Sequence, residues 1–419
     1  MIGATFFDAR RGSSGGELDK VTGRPPRYFE TVYRGMGPTA LRRSNQRAVL
    51  TIISSAPGCS NADIARRTGL APQSVSAVLT DLSDMGLLIR GKAKRGGGRG
   101  QPATPLFINP EGAYAIGVEI GWTRLEVALI SIESKVLAVE RVDFDYPDAS
   151  TIFTVLAAMV ERVKAATADP ARIVGLGLAM PEGIGDAGSL LPPPPGQAEL
   201  WVKIDPVGAV ARATGLDVVR VNDGNAACWA EFVAMPTPRP GNFAYLLVDT
   251  FLAAGIVAED RLWEGAGGAS ANLGSMLVGD AEGEARFVHE IASVHALRQR
   301  LGAVGLDLAA AIADRPEATA QTVLDEWIDD AALALAQTVL NARTVLEFEF
   351  AVIDSELPGA ILVRLIDRLG ARLLEIPSLG GTKPAIRRGH LGRSGAAQGA
   401  AFIRMYRKFF SRELAHMDG

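Results

Sequence analysis

The sequence predicts an N-terminal winged helix–turn–helix followed by a larger α/β body in two lobes. Three observations carry this prediction. Residues 1–110 hold 16 Lys and Arg against seven Asp and Glu, a net of +9, while the remainder nets −13, so a basic head joins an acidic body. Residues 39–90 read as three short apolar-striped segments punctuated by Pro and Gly, and a basic, Gly-rich loop follows them. From residue 111, three strand-like runs give way to alternating helix and strand, the pattern of an α/β fold. A related order starts again at residue 243, which predicts two lobes of similar build.

Length and composition narrow the class. A chain of 419 residues is too long for one core. Apolar residues make up 48% and charged residues 21%, the balance of a soluble globular protein, and no apolar run reaches membrane-span length. The opening segment lacks the apolar core of a signal peptide, so a cytoplasmic location is expected. Two cysteines, Cys59 and Cys228, exclude a disulfide scaffold and a cysteine-rich zinc site, and both read as buried packing residues. Four histidines leave little for a histidine-built metal site, and His289 and His295 are six apart, poor spacing for one helix face. No metal, cofactor or membrane partner is expected.

Residues 1–37, rich in Gly, Arg and Pro without apolar period, read as a flexible tail. The DNA-binding unit is expected over 38–110. Leu41, Val49, Leu50, Ile52 and Ile53 stripe a first helix, which Pro57-Gly58 ends. Ser60 caps a short second helix, with Asp63 reaching back as a capping box, and Gly69 stops it. Pro72 opens a third helix with Val75, Val78, Leu79 and Leu82 buried. Gln73, Ser74 and Ser76, with Thr80 one turn on, are then exposed, and their short or amide-bearing side chains suit base edges in a major groove. Arg66 and Arg67 on the second helix suit phosphates. The loop between Leu87–Ile89 and Leu106–Ile108 reads as a wing, with Lys92, Lys94, Arg95 and Arg99 available to phosphates or a minor groove. Double-stranded DNA is the partner this combination predicts.

In the body, strands are expected at Tyr114–Gly121, Arg124–Ile132 and Val136–Phe144. A helix follows with Ile152, Val155, Leu156, Met159, Val160 and Val163 on its buried face. Strands Ile173–Met180 and Val218–Val221, helix Asn225–Phe232, and strands Phe243–Val248 and Gly255–Val257 come next. A helical stretch over 283–342, strand Phe350–Ile353 and a closing helix complete the chain.

These residues carry a resemblance. Arg42-Arg43-Ser44-Asn45-Gln46-Arg47, Gly98-Arg99-Gly100-Gln101-Pro102, Ile120-Gly121-Trp122-Thr123, the run Gly175 to Pro181, Val221-Asn222-Asp223-Gly224-Asn225, Gly265 to Gly274 and Gly392 to Ala401 stand in order over residues 39–419. The chain resembles the ROK transcriptional regulators, which include bacterial sugar-operon repressors and share their body with sugar kinases. The resemblance implies an actin-like, ribonuclease-H-like body with a cleft between lobes, here 111–230 plus 395–419 and 231–394. It also implies a homodimer or homotetramer and a sugar or other small-molecule effector.

Several family motifs are altered. The first phosphate turn, Asp-x-Gly-Gly-Thr in the family, is Glu119-Ile120-Gly121-Trp122-Thr123 here. The second, Gly-Thr-Gly-x-Gly, is Asp249-Thr250-Phe251-Leu252-Ala253. An indole, a phenyl ring and a carboxylate should obstruct or repel nucleotide phosphates. The adenosine-side Gly-Gly corresponds to Asp354-Ser355. On the sugar side, Asn222 and Asp223 match the family's sugar-binding Asn and catalytic-base Asp, although Asp223 also suits a helix cap. The family's sugar-binding Glu and zinc-ligating His become Asn272 and Ser275, and its cysteines are absent. Glu290 matches a later sugar-binding Glu, and an ordinary helix carboxylate is the competing reading. The loop Leu190–Gly196 carries prolines where relatives place a sugar-facing Asn.

The expected function is a sequence-specific DNA-binding regulator, a repressor of carbohydrate-related genes, with a non-catalytic body that assembles and takes an effector at Asn222, Asp223, Asn272 and Glu290. The competing readings are an ATP-dependent sugar kinase with a DNA-binding head, and a regulator governed by a protein partner with its cleft unused.

Overall fold

A computed structural model describes residues 37–92, 104–236, 238–268, 271–378 and 382–410. The head begins with α1 (Pro38–Ser55), α2 (Asn61–Thr68) and α3 (Pro72–Asp84). Gly69 ends α2 in the left-handed conformation at φ 72°. Strands β1 (Leu88–Arg90) and β2 (Leu106–Ile108) pair antiparallel with Ile89 opposite Phe107, giving the base of a wing. Val49, Leu50, Ile53, Ile64, Val75, Val78, Leu79 and Leu82 bury together as the head's core, and Cys59 packs with them.

The body's first sheet is built from β3 (Tyr114–Ile120), β4 (Arg124–Ser131) and β5 (Val136–Asp143), then, after α4 (Ile152–Lys164), from β6 (Ile173–Met180). Helices α5 (Gln197–Trp201) and α6 (Pro206–Thr214) lead to β7 (Val218–Asn222) and α7 (Asp223–Ala234). Strand order is β5-β4-β3-β6-β7, with an antiparallel meander on one side and parallel β6 and β7 on the other. Five of the six apolar positions expected to be buried on α4 are so, but Val155 is 37% exposed, because it lies at the edge of the stripe.

The second sheet repeats that plan. Its members are β8 (Phe243–Val248), β9 (Leu252–Ala258) and β10 (Arg261–Leu262). The stretch expected to be helical over 283–342 is broken. A hairpin of β11 (Leu277–Gly279) and β12 (Ala285–Phe287) precedes α8 (Val288–Ile291), α9 (Val294–Ala303), α10 (Leu308–Ile312) and α11 (Ala318–Leu346). Ser293 and Asp307 accept backbone N–H groups at the starts of α9 and α10, which divides the run. Then come β13 (Phe350–Ser355), α12 (Gly359–Glu375), β14 (Ala385–Arg388) and α13 (Gly395–Phe409). The expected single closing helix is thus two helices around a strand, with Pro377 and Pro384 in the connection. The order β10-β9-β8-β13-β14 again joins an antiparallel meander to parallel strands.

Helix α13 lies at the centre, packed on β3, β6 and α7. A Cβ at Gly399 would stand 1.7 Å from the carbonyl oxygen of Ala226, so glycine sets the α13–α7 spacing.

Candidate functional site

Polar groups gather on the exposed face of the head and in the cleft between the two sheets. On the head, Asp63 Oδ2 accepts the Ser60 N–H at 3.0 Å and Ser60 Oγ accepts the Asp63 N–H at 3.3 Å, the reciprocal capping box. With its apolar stripe buried, α3 turns Gln73, Ser74, Ser76 and Thr80 to solvent. Asn61 Nδ2 donates to Ser76 Oγ at 2.8 Å, tying α2 to α3. The Ser76 and Thr80 hydroxyls donate to the carbonyls of Pro72 and Ser76, both at 3.0 Å. Arg66 is exposed but ion-paired with Asp63, whereas Arg67 and Lys92 are simply exposed. Lys94, Arg95 and Arg99 fall outside the described residues. Sequence reasoning missed a clasp between α1 and α3. Arg42 donates to both carboxylate oxygens of Asp81, at 2.7 and 2.5 Å, and Gln46 donates to it at 3.0 Å. No local signal links residues so far apart in the chain.

The cleft encloses a cavity of about 350 Å³. Asn222, Asp223 and Asn272 line it, together with Ser275, Glu182, Asp186 and Ser189. Asn222, not Asp223, caps α7, accepting the Asn225 N–H at 3.1 Å. Asp223 sits in the first turn and accepts the Gly224 N–H at 2.9 Å. Burial pushes its carboxyl up to about 6, the Gly224 hydrogen bond opposes this, and the charge of Asp249 adds to it. Glu290 is not among the lining residues; its carboxylate accepts the Phe287 N–H at 3.0 Å. The neighbouring His289 lines the cavity instead. Its Nδ1 accepts the Leu252 N–H at 3.2 Å, which leaves the proton on Nε2. Burial lowers its pKa to about 4, so the ring is neutral. A Cβ at Gly274 would come 2.1 Å from the His289 Cε1, so only glycine lets the imidazole lie there.

Across the cleft, three consecutive residues of one sheet's turn meet three of the other's in reverse order. Trp122 packs edge-on against Phe251, Thr123 Oγ1 stands 3.4 Å from Thr250 Oγ1, and Arg124 pairs with Asp249 at 2.5 Å. Arg124 is 2% exposed and also donates to Glu119 at 3.0 Å. Burial raises Glu119 to about 8 against the pull of Arg124. Asp249, expected to repel phosphate by its charge, has that charge compensated by Arg124, which holds it ionised. The Trp122 and Phe251 rings and the Arg124–Asp249 ion pair occupy these two turns. Asp354 is buried and accepts the Gly392 N–H at 2.7 Å. Among the described residues, no group of three His, Cys, Asp or Glu is placed to hold a metal ion, and no helix is long and apolar enough to cross a membrane.

The ROK family profile matches residues 115–404, and a winged helix–turn–helix DNA-binding profile matches residues 42–89. An uncharacterized protein of Sinorhizobium fredii is 26% identical over 381 residues, 89% of this chain and 93% of that one. The xylose repressor of Bacillus spizizenii is 23% identical over 242 residues, 57% of this chain, and the match spans 62% of the repressor's length. A crystal structure described as a ROK family transcriptional regulator, homolog of the E. coli MLC protein, superposes with a TM-score of 0.66 at 21% identity, covering 87% of this chain and 97% of that one, a likeness of fold.

Proposed function

The chain belongs to the ROK family and carries a winged helix–turn–helix head, and from that premise we propose that it is a DNA-binding transcriptional repressor of carbohydrate-related genes. The observation that carries this reading is the solvent-facing polar row of Gln73, Ser74, Ser76 and Thr80 on a helix braced from both sides, by Asn61 on α2 and by Arg42 on α1. A row of donors and acceptors on a fixed helix is what base-edge recognition needs. Arg66, Arg67, Lys92, Lys94, Arg95 and Arg99 serve phosphates or the minor groove.

The body senses a small polyhydroxylated effector and does not transfer a phosphoryl group. Asn222, Asp223 and Asn272 offer hydroxyl partners in the cleft, and neutral His289 adds an Nε2 donor. The Trp122–Phe251 pair and the Arg124–Asp249 ion pair stand at the two turns where nucleotide phosphates would lie. The repressor acts as a homodimer or homotetramer. Effector binding favours one lobe arrangement and changes the separation of the heads, so that they leave their half-sites.

Footprinting of the purified protein on the DNA flanking its own gene, with and without a panel of sugars, tests this. A protected site released by one sugar is expected; absence of any protected site defeats the reading. A coupled ADP-release assay on the same panel separates it from a kinase, for which turnover with any hexose would be decisive.

A further inference from the structure

A second cavity, of about 520 Å³, lies where the head meets the body, between α1 and α3 on one side and α13 and the start of β7 on the other. Its walls are strongly basic. Arg43 and Arg47 come from α1, Arg404, Arg407 and Lys408 from α13, and Asp217 is the one acidic residue among the lining groups. Asp217 is taken by Arg404 at 2.5 Å, and Arg407 pairs at 2.6 Å with Glu264, outside this cavity. Arg43 and Lys408 are exposed at the opposite walls. The Arg47 guanidinium is held by the Arg407 carbonyl at 2.9 Å; burial and the neighbouring charge of Arg43 both disfavour its protonated form. The floor is apolar, with Leu50, Leu82 and Phe409 buried.

A pocket with surplus positive charge at its walls and hydrocarbon at its base matches a small molecule with an anionic head and an apolar stem. We propose that this head–body cavity is a second ligand site, distinct from the interlobe cleft, and that it binds an organic phosphate monoester. The phosphate sits between Arg43 and Lys408, and the carbon portion lies on Leu50, Leu82 and Phe409. Because one wall belongs to the head and the other to the body, occupancy clamps the two together. Duplex DNA is a poorer occupant. Met85, at this cavity, is about 18 Å along α3 from the base-reading Gln73, at ~1.5 Å per residue.

Titration calorimetry of the full chain, with inorganic phosphate and with phenyl phosphate at ionic strength fixed with chloride, tests the site. Saturable binding of both is expected, phenyl phosphate being the tighter. The double variant R43E/K408E should weaken both by at least about tenfold through loss of two charge-assisted contacts. The cleft variant Asn272→Ala should leave both unchanged, so that failure here is separable from failure of the effector reading. If R43E/K408E does not fold, R43Q/K408Q should show a smaller loss in the same direction. The proposal is overturned if neither probe saturates, if both bind equally well to the variants that fold, if Asn272→Ala abolishes binding, or if the variants weaken only duplex binding.

Discussion

The indole of Trp122 stands edge-on to the phenyl ring of Phe251, ring centres 5.1 Å apart and planes at 84°, and both rings line the interlobe cavity. Trp122 follows the last strand residue of β3 by two positions, and Phe251 precedes β9 by one, so the pair joins the turns of two different sheets. Edge-to-face pairs contribute about 0.5–1.5 kcal/mol beyond area burial. A double-mutant cycle with Trp122→Ala and Phe251→Ala is expected to return a coupling energy of about 1 kcal/mol in urea unfolding. Additive losses would show that the rings do not hold the turns together.

Beside that pair, Arg124 faces Glu119 and Asp249, all three side chains buried. Glu356 lies 4.0 Å from Arg124 and 3.1 Å from Arg393, extending the network. Removing one partner of a buried ion pair leaves an uncompensated charge, at a cost of about 3–5 kcal/mol. Arg124→Met is therefore expected to destabilise by that order, and adding Asp249→Asn to recover part of the loss. Denaturant midpoints measure both.

Asp223 gives a pH dependence of definite sign. Its carboxyl titrates near 6 in the fold and near 3.8 when unfolded, so the folded state holds the extra proton between those values. Stability from this group is present below about pH 4 and is lost as pH rises through 6. Asp223→Asn should stabilise the fold at pH 8 by up to about 3 kcal/mol, read as a higher melting temperature, and change it little at pH 3.5. An equal effect at both pH values would refute the assignment.

On the head, Arg67→Ala and Gln73→Ala should differ in kind. Loss of a phosphate contact weakens binding to all sequences and lowers the salt slope by about 1, while loss of a base contact costs ~1–3 kcal/mol only on the preferred site. Filter binding on specific and scrambled duplexes across a salt series separates the two patterns.

Ser60→Ala removes one half of the capping box and should cost about 1 kcal/mol. Amide exchange over α2 and α3 is the fitting readout, since the loss falls on the head. Unchanged exchange there would place the cap outside the head's stability.

Much of this architecture is legible because its signals are local. Ser60, Gly69 and Pro72 set helix ends through their own backbone, and the α3 stripe needs only a period. The doubled sheet plan could be read from strand order. What escaped depends on residues remote in sequence. Arg124 and Asp249, or Arg42 and Asp81, give no sign of each other until the chain folds. Glu290 and His289 are adjacent, and motif spacing favoured the carboxylate; the turn of α8 spends that carboxylate on the Phe287 N–H and aims the imidazole at the cavity. Val155 shows the limit of a stripe, since its edge is decided by what packs opposite.

Helix α13 links the body's first sheet to the head. It lies against strands of the first sheet, it meets α7 backbone to backbone at Gly399, and near its end the Arg407 carbonyl holds Arg47 of the head. No side chain cushions the Gly399 crossing, so α13 has no slack there. A shift of α13 along α7 would therefore have nothing to yield at that crossing and would have to be taken up elsewhere, the contact with the head included.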